Sequence, residues 1–154
     1  MFSKIVSGGQ TGVDRAALDV ALELGIPCGG WCPQGRRAED GQIDERYPLC
    51  ETPWDGYPQR TEWNVRDSDG TLVLTRGQAD RGTALTLRLA EQRKKPSLVV
   101  DLAADADMAV VRAWAAAQWV ETLNVAGPRQ SSAPGIYEQA VAFLRRLLGD
   151  RDHR

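Results

Sequence analysis

The body of this chain has no histidine; the single one, His153, is the penultimate residue. That lack removes the imidazole base on which Ser-His-Asp and Cys-His nucleophilic sites depend. It also leaves Cys28, Cys32 and Cys50 without enough companions to complete a four-ligand zinc site, so no stoichiometric zinc is expected. An odd number of cysteines does not fit a disulfide framework. The opening MFSKIVSGG lacks the basic-then-apolar layout of a signal peptide, so reduced thiols and a cytoplasmic protein are expected. No apolar run approaches the roughly 18 residues of a membrane span. An excess of either charge is lacking too. With a net charge of −2 there is no basic field for nucleic acid or an anionic membrane, and any affinity for anions must be local.

Glycine, by contrast, is plentiful. The fifteen glycines gather in loops rather than in a repeat, which points to tight turns and close approaches of the backbone. The 154 residues suit one domain, expected over 1–149, with a frayed polar tail at 150–154. Short apolar runs alternate with helical patterns, the signature of βαβ units. The expected fold is α/β and Rossmann-like: a doubly wound, mainly parallel sheet of about five or more strands with helices on both faces.

Strands are predicted at Lys4–Ser7, Ile26–Gly30, Thr71–Thr75, Ser97–Leu102 and Leu123–Ala126. The first helix shows Val13, Ala17, Val20, Ala21 and Leu24 at three- and four-residue steps and stops at Gly25. Thr11 and Asp14 read as a variant capping box at its start. Further helices are predicted at Thr61–Asp67, Thr83–Lys94 and Asp107–Gln118. In the second of these, Arg93, Lys94 and Lys95 suit the negative end of the dipole. A last helix carries the seam Tyr137, Val141, Leu144 and Leu148. From Trp31 to Pro58 there is no periodicity, and a long loop inside a compact domain is usually functional.

In open parallel sheets ligands bind beyond the carboxyl ends of the strands. Three loops there have anion-binding chemistry. Gly8-Gly9-Gln10-Thr11-Gly12-Val13-Asp14 runs into a helix start with free N–H groups, yet matches neither the dinucleotide fingerprint nor the P-loop. Gly82-Thr83 opens the helix after the Arg76 loop, where the threonine also suits capping. Gly127-Pro128-Arg129-Gln130-Ser131-Ser132 precedes the last helix and supplies a guanidinium suited to phosphate.

The segments Ser7–Arg15, Gly30–Gly41, Thr61–Asp69 and Asn124–Arg129, with the Gly82-Thr83 helix start, resemble the molybdenum cofactor carrier family in the same order along nearly the whole chain. The resemblance implies a Rossmann-like fold, a homo-tetramer or homo-dimer, and molybdenum cofactor, a phosphate-bearing pterin, as bound cargo to be stored or passed to molybdoenzymes. By the same likeness Gly8, Gly9, Thr11, Gly12, Gly82 and Thr83 would contact the anionic part, and Gly127 and Ser131 would belong to the site. Arg36, Arg37 and Arg129 would neutralise charge, while Gln10, Asp14 and Asn64 would meet the pterin edge or order the loops. The wider superfamily includes nucleotide phosphoribohydrolases of the cytokinin-activating type, and a nucleotide-sensing module is a third possibility. The hydrolase signature has paired glycines where Ala79 and Asp80 stand here, and a Glu where Thr86 stands. That departure favours a binder over an enzyme unless Glu39 or Asp40 substitutes.

Overall fold

The computed structural model describes residues 2–77 and 80–149. Ala79 and the tail expected at 150–154 therefore lie outside the described residues.

The chain opens with β1 (Lys4–Val6), α1 (Val13–Leu24) and β2 (Cys28–Gly29). Four very short strands follow: β3 (Trp31–Cys32), β4 (Arg37–Ala38), β5 (Gly41–Gln42) and β6 (Cys50–Glu51). The remainder alternates regularly through α2 (Tyr57–Arg66), β7 (Gly70–Thr75), α3 (Arg81–Gln92), β8 (Ser97–Asp101), α4 (Met108–Ala117), β9 (Thr122–Ala126) and α5 (Ile136–Gly149).

The main sheet has five strands in the order β2-β1-β9-β7-β8, and every pairing in it is parallel. Counted from β7 as the first strand, that order is 2-1-3-4-5, a doubly wound arrangement begun at a different point along the chain. Right-handed crossovers leave the sheet in opposite directions from β1 and β7, which puts helices on both faces. On one side α1 packs along α5, with α4 against α5; on the other α2 packs on α3. The larger core cluster joins Ile5, Leu72, Leu74 and Leu123 of the sheet to Val13, Ala17, Val20, Leu144 and Leu148 of α1 and α5. The Rossmann-like α/β expectation holds.

Four local expectations do not. The capping box at the start of α1 is absent: its N-cap is Gly12, without a side-chain cap. Asp14 instead accepts from the Gln10 N–H at 3.3 Å, and the Thr11 hydroxyl donates to Glu39. Helix α2 starts at Tyr57 rather than Thr61, with proline in its first turn where no N–H is needed. Lys95 does not serve the end of its own helix. Its ammonium donates to the carbonyls of Arg66 and Ser68 at 3.1 and 2.7 Å, finishing α2 instead. The segment from Trp31 onward is not structureless either. It is pinned by two small strand pairs, β3 with β6 and β4 with β5. Arg36 holds it together by donating to the carbonyls of Ile43, Asp44, Tyr47 and Leu49. A second buried cluster, Leu18, Cys32, Ile43 and Tyr47, seats the segment on α1.

Candidate binding cleft

A cleft of about 420 Å³ opens at the carboxyl ends of the strands. Its wall includes Asn124 to Gly127 at the end of β9 and Asp80 to Thr83 beyond β7. In the count from β7 these are the third and first strands, so the cleft sits where the strand order reverses. Gly8, Gln10 and Asp14 close a third side, and Tyr57, Arg60, Thr61 and Asn64 of α2 form the fourth.

Of the residues singled out in the sequence, Gly8, Gln10, Asp14, Asn64, Gly82, Thr83, Gly127, Arg129 and Ser131 line this space. Gly9, Thr11, Gly12, Arg36 and Arg37 are not in its wall. Gly12 is small for a packing reason: a Cβ there would lie 2.4 Å from the Pro128 carbonyl oxygen. Gly9, at φ +78°, faces Leu49 and Ile43 of the long segment. Arg36 has spent its guanidinium on loop carbonyls, and Arg37 pairs with Asp55 at 3.2 Å. Asn64 lines the cleft, yet its amide is engaged twice by the Trp31 backbone, at 2.8 and 3.0 Å. It orders β3.

Two buried polar atoms in the wall have no partner among the described residues: Gln10 Nε2 and Thr83 Oγ1. The Gln10 carboxamide is fixed, because its Oε1 accepts from the N–H groups of Thr11 and Glu39 at 3.0 and 2.8 Å. Its bare end is therefore a donor. Thr83 stands in the first turn of α3, where its N–H is capped by Asp80 at 2.8 Å while its hydroxyl is left free. Buried polar groups without partners are rare and costly, and both of these border open space.

Cations converge on the same space. Arg60 and Arg129 each bring a guanidinium over the Tyr57 ring, at 5.2 and 5.6 Å from its centroid. Arg60 donates to the Gly8 carbonyl at 3.1 Å and approaches Asp14 at 3.4 Å. The Arg129 guanidinium makes no hydrogen bond or ion pair among the described residues, while its carbonyl accepts from the N–H groups of Ser132 and Ala133 at 3.1 and 3.2 Å. Burial pushes the Asp14 carboxyl up to about 6, against the pull of Arg60, the Gln10 N–H, Arg15 and Arg129. The Thr11 and Ser131 hydroxyls both go to Glu39, which also takes the Ser131 N–H at 3.1 Å. Burial tends to raise the Glu39 carboxyl, but the Ser131 and Thr11 hydrogen bonds outweigh it and hold it below the usual range. Asp40 is held low by its hydrogen bond and ion pair with Arg15, at 3.0 Å. Both carboxylates of this hairpin are thus engaged in holding loops together.

The sequence reading missed Arg60 and Tyr57. Their signal was the spacing 57, 60, 61, 64, one face of a helix, hidden because the helix was begun four residues late.

A doubly wound sheet with two unsatisfied polar groups and the guanidinium groups of Arg60 and Arg129 at its switch point defines an α/β domain with a polar cleft of the Rossmann-like kind. More narrowly, the chain belongs to the circularly permutated YpsA SLOG family, whose pattern matches residues 5–148. The permuted strand order agrees with that description. The chain is also similar to the crystal structure of a "Putative molybdenum carrier protein" from Syntrophus aciditrophicus SB, with 46% identity and a TM-score of 0.92. The likeness covers 96% of this chain and 95% of that one. Among curated proteins none matches.

Proposed function

We propose that the cleft binds molybdenum cofactor as cargo, with its terminal phosphate at the start of α3 and its pterin toward Gln10 and Asp14, and that the protein stores or hands on this cofactor. The observation that carries the reading is the bare Thr83 hydroxyl in the first turn of a twelve-residue helix, in a cleft that Arg129 also lines with a guanidinium that has no ion pair among the described residues. Helix N-termini favour anions, and guanidinium forks complement phosphate oxygens. Gly82 leaves the helix start open, since a Cβ there would meet nothing closer than 3.7 Å. The name of the similar crystal structure supports molybdenum cofactor over other phosphate-bearing molecules. Gly8, Asn64, Gly127 and Ser131 shape the wall, and Gln10 Nε2 offers a donor to a ring carbonyl.

Among the described residues the cleft has no glutamate at the start of α3, which favours carriage over catalysis. Thr86 stands in the wall with its hydroxyl on the Gly82 carbonyl at 3.0 Å, where the related hydrolases would carry a glutamate. Release of base from nucleoside monophosphates is not expected.

The test pairs mass spectrometry of the copurifying small molecule with titration of two variants. Thr83→Val keeps the shape and removes the hydroxyl, so the ligand-free fold should keep or slightly gain stability while affinity for the cofactor drops. Arg129→Ala should cost about 1.5–3 kcal/mol of binding, the scale of a hydrogen bond to a charged group. If both variants bind like wild type, the cargo sits elsewhere.

A further inference from the structure

Asp14 is an awkward residue for an anion cleft. It is 6% exposed, lines the wall, and keeps a carboxylate beside the Arg60 guanidinium, a cation toward which a bound anion would be drawn. One oxygen, Oδ2, takes the Gln10 N–H at 3.3 Å and the Arg60 guanidinium at 3.4 Å. Both contacts are long, and Oδ1 has none among the described residues. Arg60 is itself only 13% exposed in its side chain. It has few competing anions to choose from: among the described residues lining the cleft, the only other carboxylate is Asp80, which is occupied with the Thr83 N–H.

An arriving dianion changes this balance. It draws Arg60 toward itself, removing the cation that chiefly favours ionised Asp14, and it places like charge beside a desolvated carboxylate. Two anions sharing one buried guanidinium are costly. One proton relieves the cost.

We propose that Asp14 is the charge selector of the cleft: it holds Arg60 while the cleft is empty and yields it to the ligand's anionic group by taking up a proton. The inference rests on the reading of the cleft as an anion site. The charged groups that bear on Asp14 are Arg15 on its own helix, Arg60 on α2 and Arg129 on the loop after β9, with Asp80 and Arg81 at the start of α3 across the cleft. The Asp14 carboxyl, pushed up to about 6 by burial, changes its charge within the range from pH 5.5 to 8. The direction follows. A ligand that favours the protonated form binds best below the empty-cleft value, and its affinity falls as pH rises above it. At full coupling the loss is about tenfold per pH unit. Loading with proton uptake and unloading with proton release would make cargo retention respond to local acidity.

Inorganic sulfate is the probe, because it stays a dianion throughout the range and leaves protein protonation as the variable. Sulfate affinity is measured calorimetrically with the full chain from pH 5.5 to 8, for wild type, Asp14→Asn and Thr83→Val. The expected result is a dissociation constant for wild type that rises about tenfold from pH 6 to 7.5, and a flat profile for Asp14→Asn. Wild type at pH 7 in buffers of different ionisation enthalpy should show net proton uptake, a readout that does not require the Asn variant to fold. Sulfate binding that Thr83→Val weakens, but that is independent of pH and takes up no proton, overturns the role of Asp14 and leaves the cleft standing. Sulfate that does not bind, or binds Thr83→Val as well as wild type, overturns both.

Discussion

Gly82, in the first turn of α3, and Gly127, directly after β9, both line the cleft, and they are there for opposite reasons. At Gly127 a Cβ would lie 2.3 Å from the Leu74 carbonyl oxygen and 2.6 Å from Val13, so the residue is small because β7, β9 and α1 leave no room. At Gly82 the space is open and the backbone is ordinary. Gly127→Ala is therefore expected to destabilise the fold by about 1–3 kcal/mol, as overpacking does. Gly82→Ala should stabilise the ligand-free protein by about 0.4–1 kcal/mol through the unfolded chain. Urea unfolding midpoints of the two variants, moving in opposite directions, check both. From sequence the two glycines read alike, because nothing in a one-dimensional string reports what a missing Cβ would touch. The same limit hid the fate of Arg36. Its guanidinium suits phosphate as well as it suits four carbonyls, and only the folding of the Trp31 segment around it decides.

At the scale of elements, periodicity served well wherever a helix buries one face on the sheet. The seam Leu144 and Leu148 of α5 and the stripe Val13, Ala17, Val20 and Ala21 of α1 are buried as expected. It had nothing to read where structure is made by side chains rather than by repeat, at the false capping box and the β4–β5 hairpin. That hairpin is a clasp. Glu39, at its tip, takes hydrogen bonds from the Thr11 hydroxyl and from the hydroxyl and N–H of Ser131, while Asp40 takes Arg15. It thereby ties the loop after β1 to the loop after β9 from outside the cleft. Since Glu39 is solvent-exposed, its removal should change global stability little. Local opening is another matter. Glu39→Ala is expected to speed amide hydrogen exchange at residues 38–42 and 130–132 while the core strands keep their protection. Unchanged exchange in both segments would show that the clasp holds nothing.

The whole molecule leaves a surface unaccounted for. Helix α4 exposes Val110, at 55%, and Ala113, Ala116 and Ala117, and the chain leaves it through Trp119, 85% exposed and at φ +57°. Apolar groups this open on a small domain are commonly covered by another copy. We propose the homo-tetramer or dimer implied by the family resemblance, with Trp119 in the contact. Light scattering at micromolar concentration should give a mass above that of one chain, and Trp119→Lys should lower it. Among the described residues no helix is long and apolar enough to cross a membrane.

The permuted strand order also dictates a timetable. Strand β1 is synthesised before the other strands of the sheet, but one of its two neighbours in the finished sheet is β9, whose Thr122 and Leu123 stand opposite Lys4 and Ile5. Until β9 emerges, the sheet consists of two separate strand pairs, β1 with β2 and β7 with β8, and lacks the strand that lies between them. Closing so long a loop is slow, and each pair meanwhile offers an open edge to any neighbouring chain. A ribosome making this protein thus carries an unfinished sheet until β9 emerges, and the keystone that completes it also brings the last wall of the cleft. Nascent chains cut short before β9 should be clients for chaperones and proteases, with no cleft yet to fill.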